Sequence, residues 1–152
     1  MNKLLPDVAD NNYLGSKVAV IGLYPILLLY FFRSIVHFTF DDAGLVVIGN
    51  IIELPMIDNI DPNNLVYMFA SLWGASQLLI SILFVVIFFK YRSLLSILWL
   101  IVILDILLRW TTGTLHPLTP EYYISIPPGK AGNLPMFLYA LVMFYFSMKR
   151  TT

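Results

Sequence analysis

The chain has 152 residues, of which 59% are hydrophobic and only 12% are charged, with a mean hydropathy of +0.82. A soluble domain is about 25% charged, so this chain has too little polar surface to cover a soluble globule, and a lipid bilayer is its expected surroundings. Nine basic residues balance nine acidic ones, which excludes the basic surface typical of nucleic-acid binding. The absence of cysteine excludes disulfide bonds, thiolate metal ligands and cysteine nucleophiles.

Apolar segments predict the first two membrane-spanning helices. The first covers about 18–38 and contains Pro25, which is tolerated in a membrane helix although it frees the carbonyl of Ile21. The segment before it is acidic and rich in asparagine, and no small-residue cleavage site follows, so we expect a retained helix rather than a signal peptide. The second span covers 65–89 without a charged residue, and roughly 20 residues suffice to cross the hydrocarbon.

Two further spans follow after a short basic turn, "KYR". So short a turn predicts that the second and third helices are antiparallel neighbours. The third span covers about 93–112 and is followed by Gly113, a residue typical of the position just after a helix. The fourth covers 134–148, where Pro135 suits the first turn of a helix.

The basic residues predict the orientation of these spans. With four crossings, one side of the membrane carries Lys3, Lys17, Lys90, Arg92, Lys149 and Arg150. The other side carries Lys130 together with Asp41, Asp42, Glu53, Asp58, Asp61 and Glu121. The positive-inside rule then places both termini in the cytoplasm. Two longer loops, about 41–63 and 113–133, lie outside. Within the first of them, 44–57 is apolar but interrupted by polar residues, which fits an interfacial helix or a re-entrant segment.

These patterns together predict the fold class. We expect an all-α, polytopic protein of the inner (cytoplasmic) membrane, with four transmembrane helices in an antiparallel bundle. Residues 1–152 would form a single integral membrane domain.

Charged residues within the third span raise the question of a site. Asp105 and Arg109 are spaced i, i+4 and lie on one face of that helix. Arg33 on the first span is expected at a similar depth to Arg109. Ionisable residues inside a membrane indicate a functional site by default. The candidate ligand-binding residues are Arg33, His37, Gln77, Asp105, Arg109 and His116. The alternative is that Asp105 and Arg109 neutralise each other and that the arginines reach outward to phosphates.

The second span carries polar and small residues on one helical face, at Asn63, Tyr67, Ala70, Gly74, Gln77 and Ser81. Ala70 and Gly74 form a small-xxx-small pair, which lets two helix backbones approach closely. We therefore expect this face to be a helix-packing seam. The alternative is that Tyr67 and Gln77 line a cavity facing Asp105.

Motifs for metal, cofactor or covalent chemistry are not evident. His37 and His116 do not have the spacing of helical metal ligands, and no nucleophile-elbow, P-loop or dinucleotide-binding motif occurs. We therefore predict no metal site, no cofactor and no catalytic residues. The many aromatic residues would suit an apolar ligand in a cavity, although such residues more often serve ordinary packing or lipid contact.

Three stretches, "DPNNLVYMFASLWGASQLL", "KYRS" and "LLRWTTGTLHP", span about 61–117. This layout resembles the DoxX-like and DUF4345-type proteins, which are small four-helix bacterial membrane proteins. The resemblance implies a four-helix bundle, in a group that includes subunits of larger membrane complexes. Arg109 and Gly113 match the Arg-x-x-x-Gly end of the third helix in that group. The chain departs from it at Leu65 and its neighbours, where the group often has an arginine.

Three functions follow as hypotheses. The first is a non-catalytic subunit or assembly partner of a larger membrane complex, with a membrane-protein partner or a homo-oligomer as the assembly. The second is a binder or carrier of a small anionic or amphipathic ligand, in an outer-leaflet cavity lined by Arg33, Asp105 and Arg109. The third is a membrane enzyme with Asp105 or a histidine as acid or base.

Overall fold

A computed structural model describes residues 4–149, in which four α-helices account for most of the chain. They are α1 (Lys17–Thr39), α2 (Asn63–Lys90), α3 (Leu95–Leu115) and α4 (Pro128–Met148). All four are long and apolar enough to cross a membrane, and residues 4–149 contain isolated β-bridges but no strand. The predicted all-α class with four apolar helices is confirmed, which indicates a multi-pass membrane protein. Lys3 and Arg150, used above for the orientation, lie outside the described residues.

The last turn of α3 extends beyond the predicted end. Gly113 lies inside the helix rather than after it, and the chain leaves the helix at His116, whose N–H donates to the carbonyl of Thr112 at 2.8 Å. The hydroxyls of Thr111, Thr112 and Thr114 each donate to the backbone carbonyl four residues earlier in the helix. These bonds satisfy the threonine hydroxyls within the helix, and the polar stretch after the apolar run is helical to Leu115.

The first turns of α4 begin earlier than predicted. The N–H groups of Lys130 and Ala131 both donate to the carbonyl of Pro127, at 2.9 and 3.1 Å, so the helix starts at Pro128. Pro128 suits this position, because a proline lacks only an N–H that would have no helical partner there. Pro135 therefore lies inside α4 and not in its first turn.

The described chain divides into two compact units, and each is considered by itself. Unit 1 contains residues 4–28, 82–117 and 133–149, and unit 2 contains 29–81 and 118–132. That the whole chain forms one membrane domain stays a prediction.

Trp99 lies at the centre of unit 1. Its side chain is fully buried, and the indole Nε1–H donates to the carbonyl of Ala19 on α1 at 3.1 Å. Its ring packs edge-on against Tyr139 of α4, whose hydroxyl donates to the carbonyl of Gly22 at 2.9 Å. Hydrogen bonds and close packing hold helices together in lipid, so these contacts fix α1, α3 and α4 to one another. The surrounding buried apolar side chains are Leu23, Phe84, Phe88, Leu95, Leu98, Val102, Ile106 and Ala140.

The segment before α1 is also tied into unit 1. Asp10 and Ser93 share three hydrogen bonds of 2.9–3.1 Å, which connect this segment to the turn between α2 and α3. The N–H of Ser16 donates to the carbonyl of Phe146 near the end of α4 at 3.2 Å. The leader segment before α1 is therefore bonded both to the α2–α3 turn and to the end of α4.

In unit 2, α1 and α2 meet at Gly74. A Cβ at this residue would lie 2.6 Å from backbone atoms of His37 and of Phe38. The hydroxyl of Ser71, one turn earlier on α2, donates to the carbonyl of His37 at 3.1 Å. The two backbones approach so closely because residue 74 has no side chain.

The connections in unit 2 are folded, and Pro120–Tyr122 in the α3–α4 connection forms a short 3₁₀ helix. Residues 41–49 form consecutive turns, so the interfacial helix considered for 44–57 is not present. An antiparallel bridge joins Ile51 to Tyr123, which brings the α1–α2 connection against the α3–α4 connection. The side chain of Asn63 clamps Leu54 by accepting from its N–H at 2.8 Å and donating to its carbonyl at 2.9 Å.

Candidate functional site

Asp105 and Arg109 form an ion pair on α3. Arg109 Nη2 lies 2.9 Å from Asp105 Oδ2, and the two side chains are 31% and 19% exposed for Asp105 and Arg109, respectively. The i, i+4 spacing places both groups on one face of the helix, one turn apart. Each charge is therefore compensated within the same helix, which lowers the cost of carrying both into a membrane.

The guanidinium of Arg109 has remaining capacity to donate. Its Nε and Nη2 atoms are buried and have no hydrogen-bond partner among residues 4–149. The Nη2–Oδ2 distance is that of an ion pair, but the N–H direction does not meet the geometry of a hydrogen bond. A buried donor without an acceptor costs about 1–3 kcal/mol. Arg109 is thus a side chain in unit 1 that an additional acceptor would stabilise, as is Tyr13, whose hydroxyl is also buried without a partner in the described chain.

His37 is buried in unit 2 near the end of α1, with 7% of its surface exposed. Its Nδ1 lies 2.7 Å from the carbonyl oxygen of Ala43, so Nδ1 carries a hydrogen and donates it. Ala43 has a positive φ of 49°, which places it in the left-handed region at the start of the α1–α2 connection. His37 therefore holds this turn against the helix.

Arg33 lies one turn before His37 on α1, and both side chains meet Trp73 of α2. The Arg33 guanidinium carbon is 5.5 Å from the centroid of the Trp73 ring, and the His37 ring is 4.8 Å from it. A guanidinium at this distance from an indole is attracted to the ring. The sequence-based site did not include Trp73. Its position one turn before Gln77 on α2 is the signal that could have identified it.

Asp42 organises the turn beside His37. Its carboxylate accepts from the N–H groups of Gly44, Val46 and Val47, at 2.8–2.9 Å. Burial alone would raise the pKa of Asp42, but the bonds from Val47, Gly44 and Val46 outweigh it and hold the pKa below its ordinary value. The carboxylate thus stabilises the first turns of the α1–α2 connection.

The remaining candidate residues are placed without a shared contact. Gln77 is half-buried in unit 2, where its backbone carbonyl accepts from the hydroxyl of Ser81 at 2.8 Å. His116 is exposed and follows the end of α3 in unit 1. Ala70 is half-buried on α2, one turn before Gly74.

Two groups of candidates are brought together, one in each unit. Asp105 meets Arg109 in unit 1, and Arg33 and His37 meet in unit 2, through Trp73. That these candidate residues share one ligand stays a prediction. Among residues 4–149, no group of three or more His, Cys, Asp or Glu side chains has the arrangement to hold a metal ion.

Comparisons with protein-family models, curated proteins and solved structures found no match to this chain. The resemblance to DoxX-like and DUF4345-type proteins therefore stays a prediction.

Proposed function

We propose that this chain is a small, non-catalytic, multi-pass protein of the cytoplasmic membrane that serves as a subunit or assembly partner of a larger membrane complex. The observation that carries the proposal is how the ionisable side chains in the helices are held. Arg109 pairs with Asp105, Arg33 lies over the ring of Trp73, and His37 bonds to the carbonyl of Ala43. These contacts give the charges a structural role, as is expected for a protein whose function is to be present in an assembly.

The proposal includes four crossings in an antiparallel bundle, with both termini in the cytoplasm. Two sets of backbone contacts support it. In unit 1, the leader is bonded to the α2–α3 turn through Ser93 and to the end of α4 through Phe146. In unit 2, the other two connections share the bridge between Ile51 and Tyr123. With four crossings, the leader, the α2–α3 turn and the end of α4 lie on one side of the membrane, and the α1–α2 and α3–α4 connections lie on the other.

Lateral helix faces offer room for a partner. The most apolar 18-residue windows of α2 and α4 have 22% and 17% of their residues buried within the chain, against 39% for α1 and for α3. On α2, Leu72 and Leu79 are 58% and 70% exposed. In a membrane such faces contact either lipid or another helix, and α2 is the longer of the two poorly covered helices.

Photo-crosslinking in native membranes tests this function. A photoreactive phenylalanine analogue replaces Leu72 or Leu79 on α2, and Leu28 on α1, which is 72% exposed, is the matched control. We expect one discrete protein adduct from the α2 positions, containing a second polypeptide identified by mass spectrometry. Lipid adducts alone at all three positions would contradict the proposal, as would an adduct containing only a second copy of this chain.

A second candidate function is binding of a small anionic or amphipathic ligand, and the unsatisfied donors of Arg109 favour it. A phosphate or carboxylate oxygen would supply the acceptor that Nε lacks. Protein extracted in native nanodiscs should then carry a small molecule that is lost in Arg109→Gln and kept in Arg92→Gln. The control is apt because Arg92 donates through Nε to the carbonyl of Phe88. Equal small-molecule content in both variants would remove this candidate.

A further inference from the structure

A tight hairpin lies directly before α2. Ile57 and Ile60 exchange both backbone hydrogen bonds, at 2.9 and 2.7 Å, across a two-residue turn. The turn residues Asp58 and Asn59 both have positive φ, 45° and 66°. This conformation is that of a type I′ turn, whose twist matches the two flanking segments. The hairpin is therefore a defined structure and not an open loop.

The hairpin presents an apolar face. Residues directly opposite each other in an antiparallel pair project their side chains to the same side, so Ile57 and Ile60 form one surface. They are 61% and 69% exposed, and the neighbouring Met56 is 66% exposed. Three large aliphatic side chains thus lie uncovered within five residues of chain.

The base of the hairpin is fixed to the first residue of α2. Asn63 holds the N–H and the carbonyl of Leu54, and Asp61 accepts from the N–H and the side-chain amide of Asn63 at 2.9 and 2.7 Å. The position of Asn63 along the membrane normal therefore also sets the position of the hairpin.

The length of α2 places that residue at the membrane surface. Its 28 residues extend about 42 Å at 1.5 Å per residue, which matches the full bilayer with its headgroup layers, about 40–45 Å. The helix exposes apolar side chains from its first turn, since Leu65 and Phe69 are 59% and 61% exposed. The start of α2, and the hairpin attached to it, therefore lie at the level of the lipid headgroups.

We propose that the hairpin face formed by Ile57 and Ile60 inserts into the headgroup layer of the bilayer that α2 crosses. Its occupant is lipid, because the face is aliphatic and lies at the depth where apolar side chains bury against the upper acyl chains. The backbone groups of Ile57 and Ile60 carry no penalty at that depth, since they satisfy each other. The hairpin thereby fixes how far α2 can slide along the membrane normal.

Site-directed spin labelling tests this inference on the full chain, which contains no native cysteine. Ile57→Cys and Ile60→Cys each carry one nitroxide label after reconstitution into phosphatidylcholine vesicles. Power saturation then compares collisions with oxygen, which concentrates in lipid, and with a water-soluble nickel chelate. Leu28→Cys on the exposed face of α1 is the lipid control, and Asn12→Cys in the exposed leader is the water control.

We expect oxygen to relax the labels at both hairpin positions more than the nickel chelate does, with a ratio between those of the two controls. A ratio equal to that of Asn12→Cys would place the face in water and overturn the proposal. Protection from both reagents would show that protein covers the face, which also overturns it. Ile60→Trp, quenched by brominated phosphatidylcholine, repeats the measurement with an apolar side chain, so that a misfolded cysteine variant leaves the question decidable. The quenching is compared with that of the parent, which contains three native tryptophans.

Discussion

Gly74→Ala tests the contact between α1 and α2. The added Cβ would lie 2.6 Å from both the carbonyl carbon of His37 and the nitrogen of Phe38, whereas non-bonded carbon atoms prefer about 3.5–4.0 Å. Backbone atoms cannot turn aside as a side chain does, so the helices must separate by about 1 Å. Overpacking of this kind costs about 1–3 kcal/mol, which lowers the folding equilibrium constant about 5- to 150-fold.

Gly113→Ala provides the matched control within the same chain. Gly113 also lies in a helix, but nothing is within 4 Å of the position its Cβ would take. Alanine is the better helix former by up to about 1 kcal/mol, so this variant should be as stable as the parent or more so. Unfolding in detergent micelles, followed by tryptophan fluorescence, compares the two. Equal stability of Gly74→Ala and Gly113→Ala would refute the close backbone contact.

Three further predictions concern side-chain hydrogen bonds and charges. Tyr139→Phe should destabilise the protein by about 0.6–2 kcal/mol, because it removes the bond to Gly22, whereas the exposed Tyr145→Phe should not, as measured by the same unfolding assay. Asp105→Asn should destabilise more than the double variant Asp105→Asn/Arg109→Gln, because the single change leaves the arginine charge uncompensated; equal losses in a double-mutant cycle would contradict the pairing. Burial raises the pKa of Asp42, but its hydrogen bonds lower the pKa by more than burial raises it. The turn is therefore stabilised above about pH 4 and loses that stabilisation as the pH falls through the folded-state pKa of Asp42. Proteolysis of the α1–α2 connection after an acid pulse should increase.

Hydropathy was sufficient to predict the number of long apolar helices, because burying a helix in lipid requires an unbroken apolar segment. It could not locate the start of α4. The residues from Pro128 to Asn133 are rich in glycine and proline and only weakly apolar, yet bonds to Pro127 make them helical. Gly113 was misleading for a related reason: a glycine in the last turn of a helix has the same sequence signature as one just after it.

The site was predictable only where partners are close in sequence. The spacing of Asp105 and Arg109 placed both charges on one face, and the structure gives 2.9 Å between them. The bond from His37 to Ala43 depends on a left-handed backbone at residue 43. Alanine rarely adopts that conformation, so the sequence does not predict it. The contact of Arg33 with Trp73 joins two helices. It depends on how each helix is rotated about its own axis, and hydropathy does not predict that rotation.

The proposed function requires that the chain works inside a larger membrane assembly, with Asp105 and Arg109 paired within the chain. Native mass spectrometry of membrane vesicles, without prior detergent extraction, tests this most directly. We expect the 17.4 kDa chain to be released as part of a heavier complex with a different polypeptide, and the complex to dissociate to the bare chain on activation. Release of the chain alone, or of the chain with only a small molecule bound, would contradict it.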